Sequence, residues 1–430
     1  MWEKIKQRWP GVYPNGLILG IVLGGIAARC LFLSLFPHLG EEELMDTTRY
    51  LNVALNILTG RGFAEYIVGP TAFAPPVYPY FLAGVFKVFG YNMVHAKIVQ
   101  AVIGGLTCWI IYRLGFHAFG TRIGLLAAAG AAIFPDLIIL AGYLYSETVY
   151  IALLCLGFLS ILKACKQPQK WRHWIVGGIL LGLCILTRHV ILLFPVLIMI
   201  VLFLFKSIRP HWKRLLVFTG ICYLMIVPWT IRNYLYFHEF IPVAAGSGGT
   251  FWIGSNVEHQ GEFRYSDTMQ EIDEETGGVK VDIERDKILM ERAIDNIADN
   301  PLQYAGVVVK KFIHYFIKIY EAVPHGQPRQ LNVFVTIILA LSYYPLLLMF
   351  VVGIVLSRRD YRCLIPLYGI VLYSGIIYAL TVVVPRYRAP LLPFFIVFAA
   401  CGVYRLAEVW FSFKERRSHA QISTSVEKSS

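Results

Sequence analysis

The chain has 430 residues, of which 57% are hydrophobic and 15% charged, with a mean hydropathy of +0.60. Such values exclude an ordinary water-soluble enzyme and define a polytopic membrane protein. The formal charge of +12 does not mark a nucleic-acid surface, because Lys and Arg gather in short loops between apolar segments, where they set orientation. Seven of the eight cysteines lie within or beside apolar segments and read as small buried residues or free thiols, with Cys165 in a basic loop.

The N-terminal apolar run, about residues 16–37, is too long for a secretory signal core and has no convincing cleavage site, so it reads as a retained first helix. Further apolar stretches at about 93–112, 122–141, 145–163, 173–188, 190–206, 213–231, 332–356, 363–384 and 389–411 bring the expected total to about ten transmembrane helices. With the N-terminus in the cytoplasm, the inside loops are rich in Lys and Arg and hold only Glu3, Asp360 and Glu415 as acids, which places both termini in the cytoplasm. The expected fold is therefore all-α and polytopic, with outward-facing regions at 38–92 and 232–331.

The expected organisation is an N-terminal transmembrane module (1–231) carrying a catalytic first external loop (38–92), an external domain (232–331), C-terminal transmembrane helices (332–411) and a disordered cytoplasmic tail (412–430). A Lys-interrupted stretch at 75–90 is too short for a crossing and reads as a re-entrant or surface helix. Residues 256–300 carry thirteen acids against five bases. There Ile283, Ile288, Leu289, Ala293, Ile294 and Ile297 predict an amphipathic helix, ended by Asn300-Pro301. The apolar segment from about 302 to 320 contains Lys310 and Lys311 and is placed at the interface.

Candidate chemistry collects at the outer ends. Asp46 lies three residues before Arg49 and four before Tyr50, so a short helix puts all three on one face. Glu147 follows the turn Tyr143-Leu144-Tyr145-Ser146, and a helix-start carboxylate there has a structural explanation as well as a catalytic one. Arg188, Arg232, Arg386 and Arg388 face outward against the positive-inside preference, and Arg29 sits inside the first span, where a charge needs a partner. Arg386 and Arg388, alternate residues between two prolines, could present two forks to a phosphate.

Glu41, Glu42 and Glu43 could join Asp46 around a divalent cation, although no His or Cys converges there. Gly246-Ser247-Gly248-Gly249 lacks the Lys-Ser/Thr of a P-loop and reads as a flexible external turn. No Asp-x-Asp pair or serine nucleophile elbow is present.

Several strings in order resemble the polytopic C superfamily of glycosyltransferases (GT-C), in the branch of protein O-mannosyltransferases and lipid A aminoarabinose transferases. They are Asp46-x3-Tyr50-x3-Ala54 with Gly60-x-Gly62-Phe63, Pro75-Pro76-Val77-Tyr78-Pro79, Ser146-Glu147, Leu186-Thr187-Arg188, Arg232-Asn233-Tyr234 leading to Phe251-Trp252-Ile253-Gly254, and Arg386-Tyr387-Arg388-Ala389-Pro390. The resemblance implies inverting transfer from a polyprenyl-phosphate sugar to a hydroxyl acceptor on a cell-envelope glycan, lipid or protein, at the outer face of the inner membrane. It implies Asp46 as the base and Glu147 or Glu43 as a second acid. Arg386, Arg388, Arg188 and Arg29 would be phosphate ligands, and Tyr50 and Tyr387 substrate contacts. No cofactor is required by these motifs, and a divalent cation at the first external loop stays open. A flippase for polyprenyl-linked sugars and an O-antigen ligase or polymerase using a diphosphate carrier are the alternatives.

Overall fold

Helix dominates because long apolar segments must satisfy their backbone polar groups internally. The computed structural model describes residues 14–39, 45–65, 69–261, 265–276, 282–319, 333–358 and 361–427. Glu41, Glu42 and Glu43 lie outside the described residues. In chain order the helices are α1 (Pro14–Leu35), α2 (Met45–Leu58), α3 (Val77–Phe89), α4 (Met93–Phe119), α5 (Thr121–Ile133), α6 (Pro135–Ile139), α7 (Glu147–Lys166), α8 (Trp171–Thr187) and α9 (Phe194–Phe203). There follow α10 (Trp212–Leu224), α11 (Val227–Phe237), α12 (Ser247–Ser255), α13 (Tyr265–Glu275), α14 (Asp282–Asp299), α15 (Pro301–Ile317), α16 (Val333–Ser357), α17 (Tyr361–Leu380) and α18 (Leu392–Glu427).

Six helical stretches are long and apolar enough to cross a membrane, and the bent pair α5–α6 makes a seventh if counted as one crossing. The protein is a multi-pass, all-helical membrane protein, but length alone does not reproduce the expected ten. Helix α8, for instance, has 17 residues, about 26 Å of rise against a hydrocarbon core of about 30 Å. The last helix runs to Glu427, so the tail expected to be disordered from 412 is helical through most of its length. Its Ala, Glu, Lys and Arg residues are good helix formers.

The 58° bend between α5 and α6 falls at Pro135, which has no N–H to offer the carbonyl of Ala131. Arg29 supplies the missing donors: its Nη atoms reach the carbonyls of Ala131 and Ala132 at 3.4 Å and of Gly25 at 2.9 Å. Gly104 makes room for it, since a Cβ there would lie 2.6 Å from Arg29 Nε. This accounts for a buried charge inside the first span without a phosphate.

Close helix approach depends on glycine elsewhere too. A Cβ at Gly105 would meet Ile26 at 2.2 Å, and one at Gly353 would meet the carbonyl of Phe398 at 1.9 Å, so the α1–α4 and α16–α18 crossings both rest on missing side chains. Of the seven described cysteines six are buried and Cys30 is half-buried.

The segment after α11 folds onto the bundle. Gly246-Ser247-Gly248-Gly249 is not a flexible turn: it starts α12, and Asp286 of α14 accepts from the backbone N–H groups of Gly246 and Gly249, both at 3.0 Å. Gly248 is required because a Cβ would lie 1.9 Å from the Asp286 carbonyl. Helix α14 buries Leu289 and Ala293 as the amphipathic pattern predicts, whereas Ile294 points outward, 55% exposed. Helix α15 exposes Leu302, Val309, Ile313 and Ile317 along one side. On its other side Lys311 is buried, and its Nζ donates to the carbonyls of Gly254 and Thr381, each at 2.7 Å. Lys311 thereby ties α12 to the end of α17.

Candidate active site

Three segments far apart in sequence meet: the start of α2, the start of α7 and the turn before α18. Helix α2 is fixed by its apolar face, where Val53 and Ala54 are fully buried, and by Asn56, whose Nδ2 donates to the Ala64 carbonyl at 2.8 Å. Arg49 pairs with Glu65 at 3.1 Å and lies over Phe73. The following loop is pinned by Arg232, which donates to the carbonyls of Thr71 (2.8 Å) and Phe63 (3.0 Å). The Arg232 guanidinium stands among the rings of Phe63, Trp229, Tyr236 and Phe237.

At the centre, Arg386 Nη2 contacts Asp46 Oδ2 in a direct ion pair, while its Nε lies 3.1 Å from Glu147 Oε1. The same Glu147 oxygen lies 2.7 Å from Arg188 Nη1. Glu147 is almost wholly enclosed, with 2% of its side chain exposed, whereas Asp46 keeps 38% exposed. Tyr145 lies beneath Arg386, its ring centre 4.2 Å from the guanidinium carbon, and stacks on Tyr143. Tyr387 stands between the two arginines, 5.2 Å from Arg188 and 5.6 Å from Arg386. Tyr50 packs edge-on to Tyr78, whose hydroxyl donates to Gln100 Oε1 at 2.7 Å.

Burial acts to raise the Asp46 pKa, but the charges of Arg386, Arg49 and Arg188 outweigh it and hold the carboxyl below its ordinary value. With its partly open face toward solvent, Asp46 is ionised at neutral pH. Burial, reinforced by the Asp46 charge, pushes the Tyr50 phenol up to about 12, so it stays protonated.

Among the described residues ten enclosed side-chain N or O atoms have no aligned hydrogen-bond partner, and four belong here: Thr47 Oγ1, Ser146 Oγ, Glu147 Oε1 and Arg386 Nε. The Glu147–arginine contacts are thus close ion contacts without hydrogen-bond alignment.

The sequence candidates separate accordingly. Asp46, Glu147, Arg188, Arg386, Tyr50 and Tyr387 come together, while Arg29 and Arg388 do not join them. Pro385–Leu391 is a 3₁₀ turn with three residues per turn, which sets Arg386 and Arg388 about 240° apart about its axis. Arg388 therefore points into the protein and donates to the carbonyls of Tyr315 (3.0 Å), Phe316 (3.3 Å) and Lys318 (3.0 Å) where α15 ends. It also lies 3.8 Å above the Tyr343 ring.

Sequence reasoning missed Tyr145 as the platform for Arg386 and Glu65 as the partner of Arg49. The run Tyr143-Leu144-Tyr145 beside Glu147 was the available signal for the first. Among the described residues no three His, Cys, Asp or Glu side chains converge as a metal site.

This fold is that of the GT-C enzymes. An oligosaccharyltransferase from Archaeoglobus fulgidus, tethered to an acceptor peptide, superposes with a TM-score of 0.56 at 13% identity over 94% of this chain and 51% of its own. The same enzyme with an inhibitory peptide and a dolichol-phosphate gives 0.54 at 14% identity, over 94% of this chain and 52% of its own.

Within that class, residues 74–231 match the dolichyl-phosphate-mannose-protein mannosyltransferase family. An undecaprenyl phosphate-alpha-4-amino-4-deoxy-L-arabinose arabinosyl transferase of Pseudomonas fluorescens is 25% identical over 255 residues, covering 55% of this chain and 42% of its own length. The chain thus spans less than half of that curated relative and resembles the mannosyltransferase and aminoarabinose-transferase branch of the superfamily.

Proposed function

We propose that this protein transfers a hexosyl or pentosyl group from a polyprenyl-phosphate carrier to a hydroxyl on a cell-envelope glycan, lipid or protein. The proposed setting is the outer face of the inner membrane, with both termini cytoplasmic. The observation that carries this reading is Arg386 shared between an exposed carboxylate, Asp46, and an enclosed one, Glu147, with Arg188 on the same enclosed oxygen.

Two guanidiniums against two carboxylates form a nearly neutral set in which one pair is open to exchange. The incoming donor phosphate competes with Asp46 for Arg386. Glu147 keeps its hold on both arginines, which makes it a positioning residue, and Asp46 is released as a free base beside the phosphate. The acceptor oxygen then attacks the anomeric carbon in a single inverting displacement as its proton passes to Asp46. The sugar–phosphate bond breaks, and the polyprenyl phosphate leaves with an added negative charge that Arg386 and Arg188 offset.

The carboxylates already face guanidiniums, an arrangement that favours phosphate over a divalent ion, and no step is assigned to a metal. An apolar cavity of about 430 Å³ lined by Phe312, Phe316, Phe350, Ile354 and Tyr368 is our proposed seat for the isoprenoid chain.

Titration of the purified protein with undecaprenyl phosphate tests this assignment. Arg386→Gln is expected to weaken binding at least about tenfold, because it removes a charge-assisted fork. Arg122→Gln, outside the cluster, leaves binding unchanged. A folded Arg386→Gln protein that binds as tightly as the parent would overturn the site.

A further inference from the structure

The end of the bundle opposite Asp46 carries a second concentration of unpartnered polar atoms. Helix α7 runs 20 residues from Glu147 to Lys166, placing its far end about 30 Å from the site. Arg113 and His117 of α4, Lys163 and Lys166 of α7, Lys170, Arg172 and His173 around the start of α8, and Arg214 of α10 gather there. Residues 66–238 contain only two carboxylates, Asp136 and Glu147, and both belong to the other end: Asp136 interacts with Arg388.

The cations feel one another. His117 is within electrostatic reach of Lys163, Arg113, Lys166 and His173, and Lys163 of Arg113 and Arg172. His173 interacts with Arg172, Lys163 and Lys170. Lys166 donates to the His117 carbonyl, and Arg214 lies 4.8 Å over the Trp171 ring.

Loops that only set membrane orientation keep their charges in water, as the exposed Arg209 and Lys213 do. Here Arg113, His117, Lys163, His173 and Arg214 are partly withdrawn instead, while Lys166, Lys170 and Arg172 stay exposed around them. His173 is only 9% exposed. Arg113 Nε, His117 Nε2 and Arg214 Nε are enclosed without a hydrogen-bond partner among the described residues. Helix α8 begins at this place with no side-chain cap, and of its first turn the His173 N–H donates to the Lys170 carbonyl at 3.3 Å. Half-exposed Trp109, Trp171 and Trp212 ring the cluster, the residue type that settles at headgroup level.

We propose that this pocket binds the headgroup of an anionic phospholipid of the adjacent leaflet. Its phosphodiester sits among Lys163, Arg113, His117 and the α8 N-terminus. Its acyl chain lies along the exposed Ile175 and Ile179 of α8, one turn apart. The bound anion offsets the repulsion among the described cations of this cluster.

Delipidated full-length protein in neutral detergent, titrated separately with phosphatidylglycerol, phosphatidylethanolamine and inorganic phosphate, tests the proposal by native mass spectrometry and thermal melting. Phosphatidylglycerol is retained and raises the melting temperature. Phosphatidylethanolamine is not retained, and inorganic phosphate at equal concentration does not displace the anionic lipid.

Lys163→Gln weakens retention about fivefold and, by removing one repelling charge, melts higher than the parent when lipid is absent. Lys213→Gln changes neither property. Equal retention of both lipids, displacement by inorganic phosphate, or a Lys163→Gln protein with the parent's lipid affinity would each overturn the proposal. A lower lipid-free melting temperature in Lys163→Gln would do the same.

Discussion

Arg386 answers to two carboxylates, and the difference between them sets its behaviour. Glu147 is enclosed and cannot leave, whereas Asp46 is 38% exposed and can trade its arginine for another anion. Asp46→Asn should therefore do two things at once. It removes the proposed base, and it frees Arg386, so undecaprenyl phosphate binds the variant more tightly by about tenfold, the scale of one competing ion pair. Calorimetric or fluorescence titration reads the second effect, and equal or weaker binding would mean that Asp46 does not compete for the phosphate position.

At this scale the sequence was legible where charge stood against an expectation. Outward arginines and the Asp46-Arg49-Tyr50 spacing led to the cluster. Direction was not legible: Arg388 reads like Arg386 until the 3₁₀ turn sends it the other way, and Arg29 reads as a functional charge until Pro135 leaves carbonyls for it to satisfy.

Between elements, glycine and one lysine govern how helices α12 to α15 dock. At Gly254 a Cβ would lie 1.9 Å from the Thr381 carbonyl, so Gly254→Ala must shift α12 and disturb both carbonyls that Lys311 bonds. A loss of about 1–3 kcal/mol is expected, visible as a lower melting temperature in detergent and faster proteolysis of the 232–319 segment. An unchanged melting temperature would contradict this packing.

Burial lowers the Lys311 pKa to about 8, below its value in the unfolded chain. The unfolded state therefore binds more protons between the two values, and this lysine's contribution to stability rises with pH across that window. Melting temperatures from pH 8 to 10 should show an increment in the parent that Lys311→Met lacks. Such docking was hidden in the sequence: Gly246-Ser247-Gly248-Gly249 looked like a flexible turn because a glycine's need for closeness depends on a partner, here Asp286, that lies 40 residues away from Gly246.

Across the whole molecule, the fold was the most legible feature, because composition and apolar segment length already demand a helical membrane bundle. The number of crossings was less so, since α8, α9 and the bent α5–α6 pair depart from a simple length criterion. Among the described residues the bundle carries a charged cluster at each end, one built of carboxylate–guanidinium pairs and the other of cations.

The central claim, that the Asp46 end performs sugar transfer, is tested most directly by incubating purified, membrane-reconstituted protein with a radiolabelled polyprenyl-phosphate sugar and a cell-envelope acceptor fraction. The account predicts label covalently attached to the acceptor with the parent protein and none with a folded Asp46→Asn variant. Label that crosses the bilayer still bound to its carrier, or transfer that persists in Asp46→Asn, would contradict it.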